Sequence, residues 1–288
     1  MPKSLWVSKN IKDEKMQTKK FLLILMLSIG FMINGLFAQG SYVILNTGYG
    51  FGMGSQTQSS FSNISNSGHS VIYEQINLSY GKGLNIGGSF GHMLNKNMGF
   101  ELGISYLIGD KTTANQTNIF SSGGSSTIEL SSDMLRINPS VVISSGMVGI
   151  NPYAKFGVLV GLGSINRIKN YNSESYVATE TFLLNGSLAL GMTASLGATL
   201  KLANKIFFFG ELAMVNMSYA PSKGEITAET YNGKDQLPSM TISTKKVDLV
   251  DTYTVSSQIV SDAEPSKQLK QKYAFGSLGL NIGLKFDL

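Results

Sequence analysis

The sequence predicts an all-β protein: an eight-stranded, antiparallel, up-and-down transmembrane β-barrel. The last eleven residues, Leu278–Leu288, alternate bulky apolar residues at even positions with small or polar residues at odd positions. A period of two is typical of a strand with one apolar face and one polar face. Similar stretches recur from residue 41 onwards, and short turns alternate with long polar segments between them. Charged residues make up only 14% of the chain, while glycine contributes 32 residues. These features favour a small, tightly curved barrel.

The first four strands are expected at about 41–53, 73–90, 98–108 and 134–144. Each carries apolar residues that keep a period of two, and the connections between successive strands alternate between a long polar segment and a short turn. The in-phase residues are Val43, Leu45, Tyr49 and Phe51, then Ile76, Leu78, Tyr80, Leu84, Ile86 and Phe90, then Met98, Phe100, Leu102, Ile104, Tyr106 and Ile108, then Leu135, Ile137, Val141 and Ile143.

The last four strands are expected at about 152–164, 182–200, 206–217 and 273–288. In the fifth and sixth strands the phase is kept by Ala154, Phe156, Val158, Val160 and Leu162, and by Phe182, Leu184, Leu188, Leu190, Met192, Leu196 and Leu200. The closing strand should pair with the first strand, because a barrel removes both sheet edges only in this way.

Long and short connections alternate strictly along the chain. Short turns are expected near residues 95, 145 and 203, and long polar loops at 54–72, 110–131, 166–179 and 218–271. Outer-membrane barrels have short periplasmic turns and long extracellular loops, so residues 39–288 are expected to form one barrel with four extracellular loops. Within the last loop, Ile226–Tyr231 followed by Asn232-Gly233 is a hairpin signal, and it leaves a ten-stranded barrel as an alternative.

The N-terminus is expected to be a signal peptide over residues 1–38. Lys19-Lys20 precede an apolar run that ends at Ala38, the expected cleavage site. Residues 1–15 are interpreted as a start-site extension before Met16, and an uncleaved anchor remains the alternative. These 38 residues hold six of the 23 basic and two of the 18 acidic residues, which leaves 17 and 16 in the mature part. The basic pI is therefore no argument for binding nucleic acid.

The pattern of residues 41–288 resembles the small outer-membrane β-barrel proteins of Gram-negative bacteria. This group includes the transmembrane domain of outer membrane protein A and the outer membrane protein X type, and Ala38-Gln39 is similar to the signal ends common in the Bacteroidetes. The resemblance implies the outer membrane as location, with its lipid and the barrel-assembly machinery as partners. Phe286 and Leu288 of the closing strand would be the residues that this machinery reads, although members of the group usually end in Phe.

Four charged residues are expected to point into the lumen. Glu101, Arg136, Lys155 and Glu211 each lie out of phase with the apolar residues of their strands. Because unpaired charges inside a barrel would be costly, we expect the two glutamates to bond with Arg136 and Lys155 in a structural network. A gated ion path is the alternative function of the same four residues.

The sequence carries no catalytic, metal or cofactor signature. There is no Cys, and the two histidines, His69 and His92, are not spaced as metal ligands and have no acid partner set by the sequence. We therefore expect a non-enzymatic surface or structural protein, with no cofactor, that contacts an extracellular protein or surface ligand through its loops. The alternatives are a narrow, porin-like pore or a transport or secretion component, and then a lipid-modifying barrel enzyme.

Overall fold

The structure, a computed structural model, describes residues 40–53, 62–66, 70–117, 124–254 and 261–288. The expected signal peptide and His69 lie outside these residues. Within them the chain forms seventeen strands: β1 (Ser41–Gly52), β2 (Ser62–Asn66), β3 (Val71–Gln75), β4 (Gly83–Met93), β5 (Met98–Gly109), β6 (Thr112–Thr117), β7 (Ser125–Ser144), β8 (Ile150–Asn172), β9 (Val177–Asn185), β10 (Ala189–Ala203), β11 (Ile206–Tyr219), β12 (Lys223–Tyr231), β13 (Lys234–Asp235), β14 (Lys246–Val250), β15 (Ser266–Leu269), β16 (Tyr273–Ala274) and β17 (Ser277–Asp287).

Eight of these strands close into an antiparallel barrel. Neighbours pair in the order β1, β4, β5, β7, β8, β10, β11 and β17, and β17 pairs back onto β1. The closing ladder places Leu45 opposite Leu284 and Tyr49 opposite Leu280. The predicted eight-stranded fold is therefore confirmed, and the ten-stranded alternative is wrong because β12 and β14 pair outside this ring.

The two faces of the barrel strands differ sharply in exposure. In β5, Phe100 and Leu102 are 56% and 40% exposed on the outer face, whereas Glu101 between them is only 8% exposed. In β17 the even residues Leu280 and Ile282 are 59% and 51% exposed, while Ser277 on the other face is buried. The outer wall is therefore a continuous apolar belt, and the polar residues of the strands point inwards, as the period of two predicts.

A second body of sheet continues from one end of the barrel. Strands β7 and β8 run past the barrel and pair with each other from Ser144 and Tyr153 out to Ser125 and Asn172, except at Asn138 and Pro139, which are left out of this ladder. Strand β6 pairs with the outer half of β7, β9 with the outer half of β8, and β12, β14 and β15 follow in turn. The short β2–β3 hairpin joins through β6. We call this sheet the extension.

The structure corrects several strand boundaries expected from the sequence, and among them β7 begins at Ser125 instead of about residue 134. The second barrel strand begins at Gly83, not at Tyr73, because the chain turns at Tyr80–Gly81 and Gly83 has a φ of +143°. The sixth begins at Ala189, since Gly186 and Ser187 have positive φ angles of 79° and 64° and separate it from β9. The segment 166–179, expected to be a polar loop, forms most of the outer ends of β8 and β9.

The predicted hairpin signal in the longest connection is present. Asn232 and Gly233 form a two-residue turn between β12 and β13 with φ angles of +48° and +76°, as a type I′ hairpin turn requires. A 3₁₀ turn at Leu237–Ser239 and a four-residue α-helix at Ile242–Lys245 follow. No helix in the described part of the chain is long and apolar enough to cross a membrane.

Candidate functional site

The end of the barrel that carries the extension is filled by an apolar cap. Leu107, Met134, Leu159 and Met217 point inwards from four barrel strands, and Phe275 packs among them with no exposed surface. The remaining members of this cluster come from the extension, from the segments that join it to the barrel, and from the adjoining ends of β10 and β11: Leu78, Tyr80, Ala114, Ile128, Leu130, Ile165, Leu184, Ala189, Tyr219, Val247, Leu249 and Tyr273. The cap therefore closes the lumen at this end and ties the extension to the barrel.

Two polar side chains inside the cap, Tyr219 and Ser132, are hydrogen-bonded to backbone carbonyls. The Tyr219 hydroxyl lies 2.8 Å from the carbonyl oxygen of Gly163 and 2.7 Å from that of Gly186, while Ser132 donates to the carbonyl of Tyr80 over 2.8 Å. Burial raises the pKa of Tyr80 well above its ordinary value, so its ring enters the cap neutral. An apolar plug that is held by hydrogen bonds of this kind is a rigid element of the fold.

Further down the lumen, three of the four predicted charged residues meet. Lys155 Nζ lies 2.9 Å from Glu101 Oε1 and 3.4 Å from Glu211 Oε2, and all three side chains are at most 12% exposed. Tyr42 donates to Glu101 over 3.0 Å, and Tyr153 donates to Glu211 over 2.9 Å. Asn281 Nδ2 adds a bond of 3.0 Å to Glu211. We call these six residues the ion cluster.

The fourth residue, Arg136, lies apart from the ion cluster. Its Nη1 donates to Asn85 Oδ1 over 3.1 Å, and it makes no ion pair with a carboxylate in the described part of the chain. The expected bond from a glutamate to Arg136 is therefore not formed, because Lys155 bridges both carboxylates. Arg136 is opposite Ser105 on β5, whereas Glu101 is four residues further along that strand.

Aromatic rings hold the ion cluster in place by resting on glycines of the neighbouring strand. Three such pairs are directly opposite in register: Tyr42 with Gly91, Tyr153 with Gly197, and Phe209 with Gly283. A Cβ at 197 would come within 2.7 Å of the Tyr153 ring, and a Cβ at 283 within 2.7 Å of the Phe209 ring. The glycines therefore leave the space that these rings occupy.

The sequence predicted the charged members of the cluster but not the two tyrosines. Their signal was nevertheless present, since Tyr42 is out of phase with the outward residues Val43 and Leu45, and Tyr153 with Ala154 and Phe156. Both tyrosines belong to one cluster of buried side chains that also contains Phe209. Lys155 Nζ lies 5.1 Å from the centre of the Tyr153 ring and 5.7 Å from that of Phe209, within the range of cation–π attraction.

In the part of the chain that the structure describes, a cavity lies on each side of the ion cluster in the lumen. The inner cavity, of about 110 Å³, lies between the cluster and the cap and includes Arg136 in its wall. The outer cavity, of about 180 Å³, lies towards the short turns, with Lys96 and Lys285 in its wall. Glu101, Lys155 and Phe209 line both cavities, so the ion cluster is the partition between them.

The remaining predicted residues lie at the turn end of the barrel. His92 Nδ1 is 3.0 Å from the Ser41 hydroxyl, and no group of three His, Cys, Asp or Glu side chains suited to a metal occurs in the described ranges. Phe286 is opposite Val43, and the amide of Leu288 donates to the carbonyl of Ser41 over 2.9 Å. The C-terminal residues thus complete the last rung of the barrel closure.

Two solved structures are similar to this chain. The crystal structure of Acinetobacter baumannii CarO2 is 11% identical, with a TM-score of 0.32, and the match covers 85% of this chain and 99% of that one. The crystal structure of Acinetobacter baumannii CarO is also 11% identical, with a TM-score of 0.31 and coverage of 88% and 99%. Such a likeness carries no argument about function, and the barrel assignment rests on the strand pairing above. No protein-family model and no curated protein matches the chain.

Proposed function

We propose that the chain is an outer-membrane β-barrel protein that holds its extension at the cell surface for non-enzymatic interaction. The belt of exposed apolar side chains supports the membrane location. The eleven residues of β17 measure about 36 Å at ~3.3 Å per residue. Tilted by roughly 40°, they would span about 28 Å, close to the apolar band of outer-membrane barrels. Outer-membrane lipid would contact the whole outer wall.

The continuity of β7 and β8 carries the proposed surface role. These strands contain 20 and 23 residues, roughly twice what is needed to cross the membrane. Their outer halves pair with β6 and β9, so this part of the chain forms a sheet and not a set of separate loops. The cap fixes that sheet to the barrel. A rigid scaffold that presents polar segments is suited to binding a protein or another surface ligand.

Site-directed labelling in intact cells tests the location and the orientation. The chain has no Cys, so Lys234→Cys in the β12–β13 hairpin and Lys96→Cys in a short turn each introduce a unique thiol. A maleimide reagent that cannot cross membranes should label the cysteine at 234 in intact cells, and the one at 96 only after permeabilisation. If only the cysteine at 96 is labelled in intact cells, the orientation is opposite to the proposed one. If neither cysteine is labelled in purified outer membranes, the proposed location is wrong.

A narrow pore is the second candidate, and the two cavities in series along the lumen favour it. Against it, the cap and the ion cluster close the path in two places. Planar-bilayer recording of the purified protein distinguishes the two functions. The absence of single-channel steps supports the closed scaffold, whereas steps that change in size with Lys155→Met would support conduction through the lumen.

The closing strand supports a proposal about assembly. Phe286 and Leu288 lie at the turn end of β17, where the amide of Leu288 completes the ladder to Ser41. We infer that the barrel-assembly machinery reads these two side chains. Phe286→Ala combined with Leu288→Ala should lower the amount of protein in the outer membrane, while refolding of the same variant into detergent should be nearly unchanged.

A further inference from the structure

Arg136 is a buried cation whose hydrogen-bonding capacity is largely unused. Its side chain points into the lumen from β7, and the residue is only 3% exposed. Of its three nitrogens, Nη1 donates to Asn85, whereas Nε and Nη2 have no partner in the described part of the chain. A guanidinium has five N–H donors in a planar fork that suits anions. Most of this fork is therefore available.

The carboxylates of the lumen do not neutralise Arg136 directly. Lys155 bridges Glu101 and Glu211, and Glu101 lies four residues along β5 from Ser105, which is opposite Arg136. At ~3.3 Å per residue, this separates the two backbone positions by about 13 Å. The internal segments that the structure does not describe, 54–61, 67–69, 118–123 and 255–260, contain no Asp or Glu in the sequence. No acid from those segments can pair with Arg136.

The inner cavity next to Arg136 has the size and the polarity of a small ligand site. Its volume of about 110 Å³ exceeds the roughly 30 Å³ that one water occupies in the liquid. Ser105, Asn85 and Asn138 lie in its wall beside Arg136 and offer hydroxyl and amide groups. The buried Asn138 Oδ1 also lacks a donor in the described residues, so a water molecule has a place there too.

Water alone would satisfy N–H groups but would leave the charge of Arg136 without a counter-ion in contact. An isolated buried charge costs several kcal/mol, and an anion in contact removes this cost more effectively than a neutral ligand does. The ion cluster has a net charge of −1 when both glutamates are ionised. It balances the lumen as a whole, but it cannot bond to the free N–H groups of Arg136 from its position.

We propose that the inner cavity is a binding site for one small inorganic anion of halide size, held by the guanidinium of Arg136 with the amides of Asn85 and Asn138. The cap and the ion cluster occlude this site, so the anion is a tightly held part of the lumen. The site is independent of the proposed surface role.

Bromide is the probe for this site. Crystals of the detergent-solubilised protein grown or soaked in sodium bromide should show an anomalous peak in the inner cavity beside Arg136. In solution, the unfolding midpoint should rise with bromide concentration when gluconate replaces bromide at constant ionic strength. Arg136→Gln should abolish this rise. Arg167→Gln is the matched control, because Arg167 is in the extension and is already paired with Glu180 at 3.1 Å.

Two results would overturn the proposal. One is a cavity that holds only water, or bromide bound only elsewhere, in the wild-type crystal. The other is the same bromide dependence of the midpoint in the wild type and in Arg136→Gln. If Arg136→Gln does not fold, Arg136→Lys keeps the charge but loses the fork, and its bromide dependence should be clearly weaker than that of the wild type.

Discussion

The ring of Tyr42 lies over Gly91, its direct neighbour across the β1–β4 ladder. A Cβ at position 91 would overlap the ring, and the three heavy atoms nearest to it all belong to Tyr42. The hydroxyl of the same ring donates to Glu101. The glycine thus sets the position of a tyrosine, and the tyrosine positions a carboxylate of the ion cluster.

Gly91→Ala should therefore destabilise the barrel by displacing the Tyr42 ring and weakening its bond to Glu101. We expect a loss of about 1–3 kcal/mol, the usual cost of overpacking a well-filled interior, measured by urea unfolding in detergent micelles. Gly210→Ala is the matched control, since a Cβ there meets nothing within 4 Å. Equal stability of the two variants would show that the ring moves without cost.

Lys155→Met should be more damaging, because it leaves Glu101 and Glu211 buried without their shared cation. Breaking a buried ion pair by removing one partner costs about 3–5 kcal/mol. The triple variant Glu101→Gln, Lys155→Met, Glu211→Gln should recover much of this stability, since no unpaired charge remains. The stabilities are compared through the urea midpoints of the wild type and both variants. A triple variant that is no more stable than Lys155→Met would contradict the electrostatic explanation.

Tyr219→Phe should loosen the junction between the barrel and the extension. The hydroxyl lies within hydrogen-bond distance of the carbonyls of Gly163 and Gly186, and its loss removes their shared donor at a cost of about 1–3 kcal/mol. We expect the extension to be cleaved faster by protease, while the amount of folded barrel stays nearly unchanged. Mass spectrometry of the fragments measures both. Tyr106→Phe, on the exposed outer wall, serves as the control and should behave as the wild type.

The closure of the barrel can be tested by cross-linking in this cysteine-free chain. Leu45 and Leu284 are directly opposite in the β1–β17 ladder, and such residues lie about 4.5–5.5 Å apart at their Cα atoms, within reach of a disulfide. Leu45→Cys with Leu284→Cys should cross-link on oxidation of the folded protein. Leu45→Cys with Leu280→Cys, displaced by about 13 Å along the strand, should not. The reverse outcome would show that the β1–β17 pairing has a different register.

The sequence was informative where a strand has two different surroundings. In β5 and β17 one face is apolar and the other polar, so the period of two identified the strands, their faces and the closing partner. The extension escaped detection because strands such as β6, Thr112–Thr117, are built of polar residues that show no alternation. Their pairing depends on continuation of β7 and β8, which is a property of the folded sheet and not of the local sequence.

For the ion cluster, the sequence could predict the direction of each charged side chain but not its contacts. The phase of each strand predicted that Glu101, Arg136, Lys155 and Glu211 point inwards, and in the structure all four line the inner cavity. It could not indicate which of them meet, because that depends on the stagger of neighbouring strands and on the position of each strand around the barrel. Arg136 and Glu101 are on different strands and at different heights, and only the register of the ladder shows this.

The long pairing of β7 with β8, which continues from the barrel into the extension, has a mechanical consequence. A pull on the tip of the extension would be transmitted along two hydrogen-bonded strands directly into the wall of the barrel. To detach the extension, such a load would have to disrupt the apolar cap and the ladder together. We therefore expect the extension to be stiff under a pulling force. Flexible loops of the same length would instead extend under the same force.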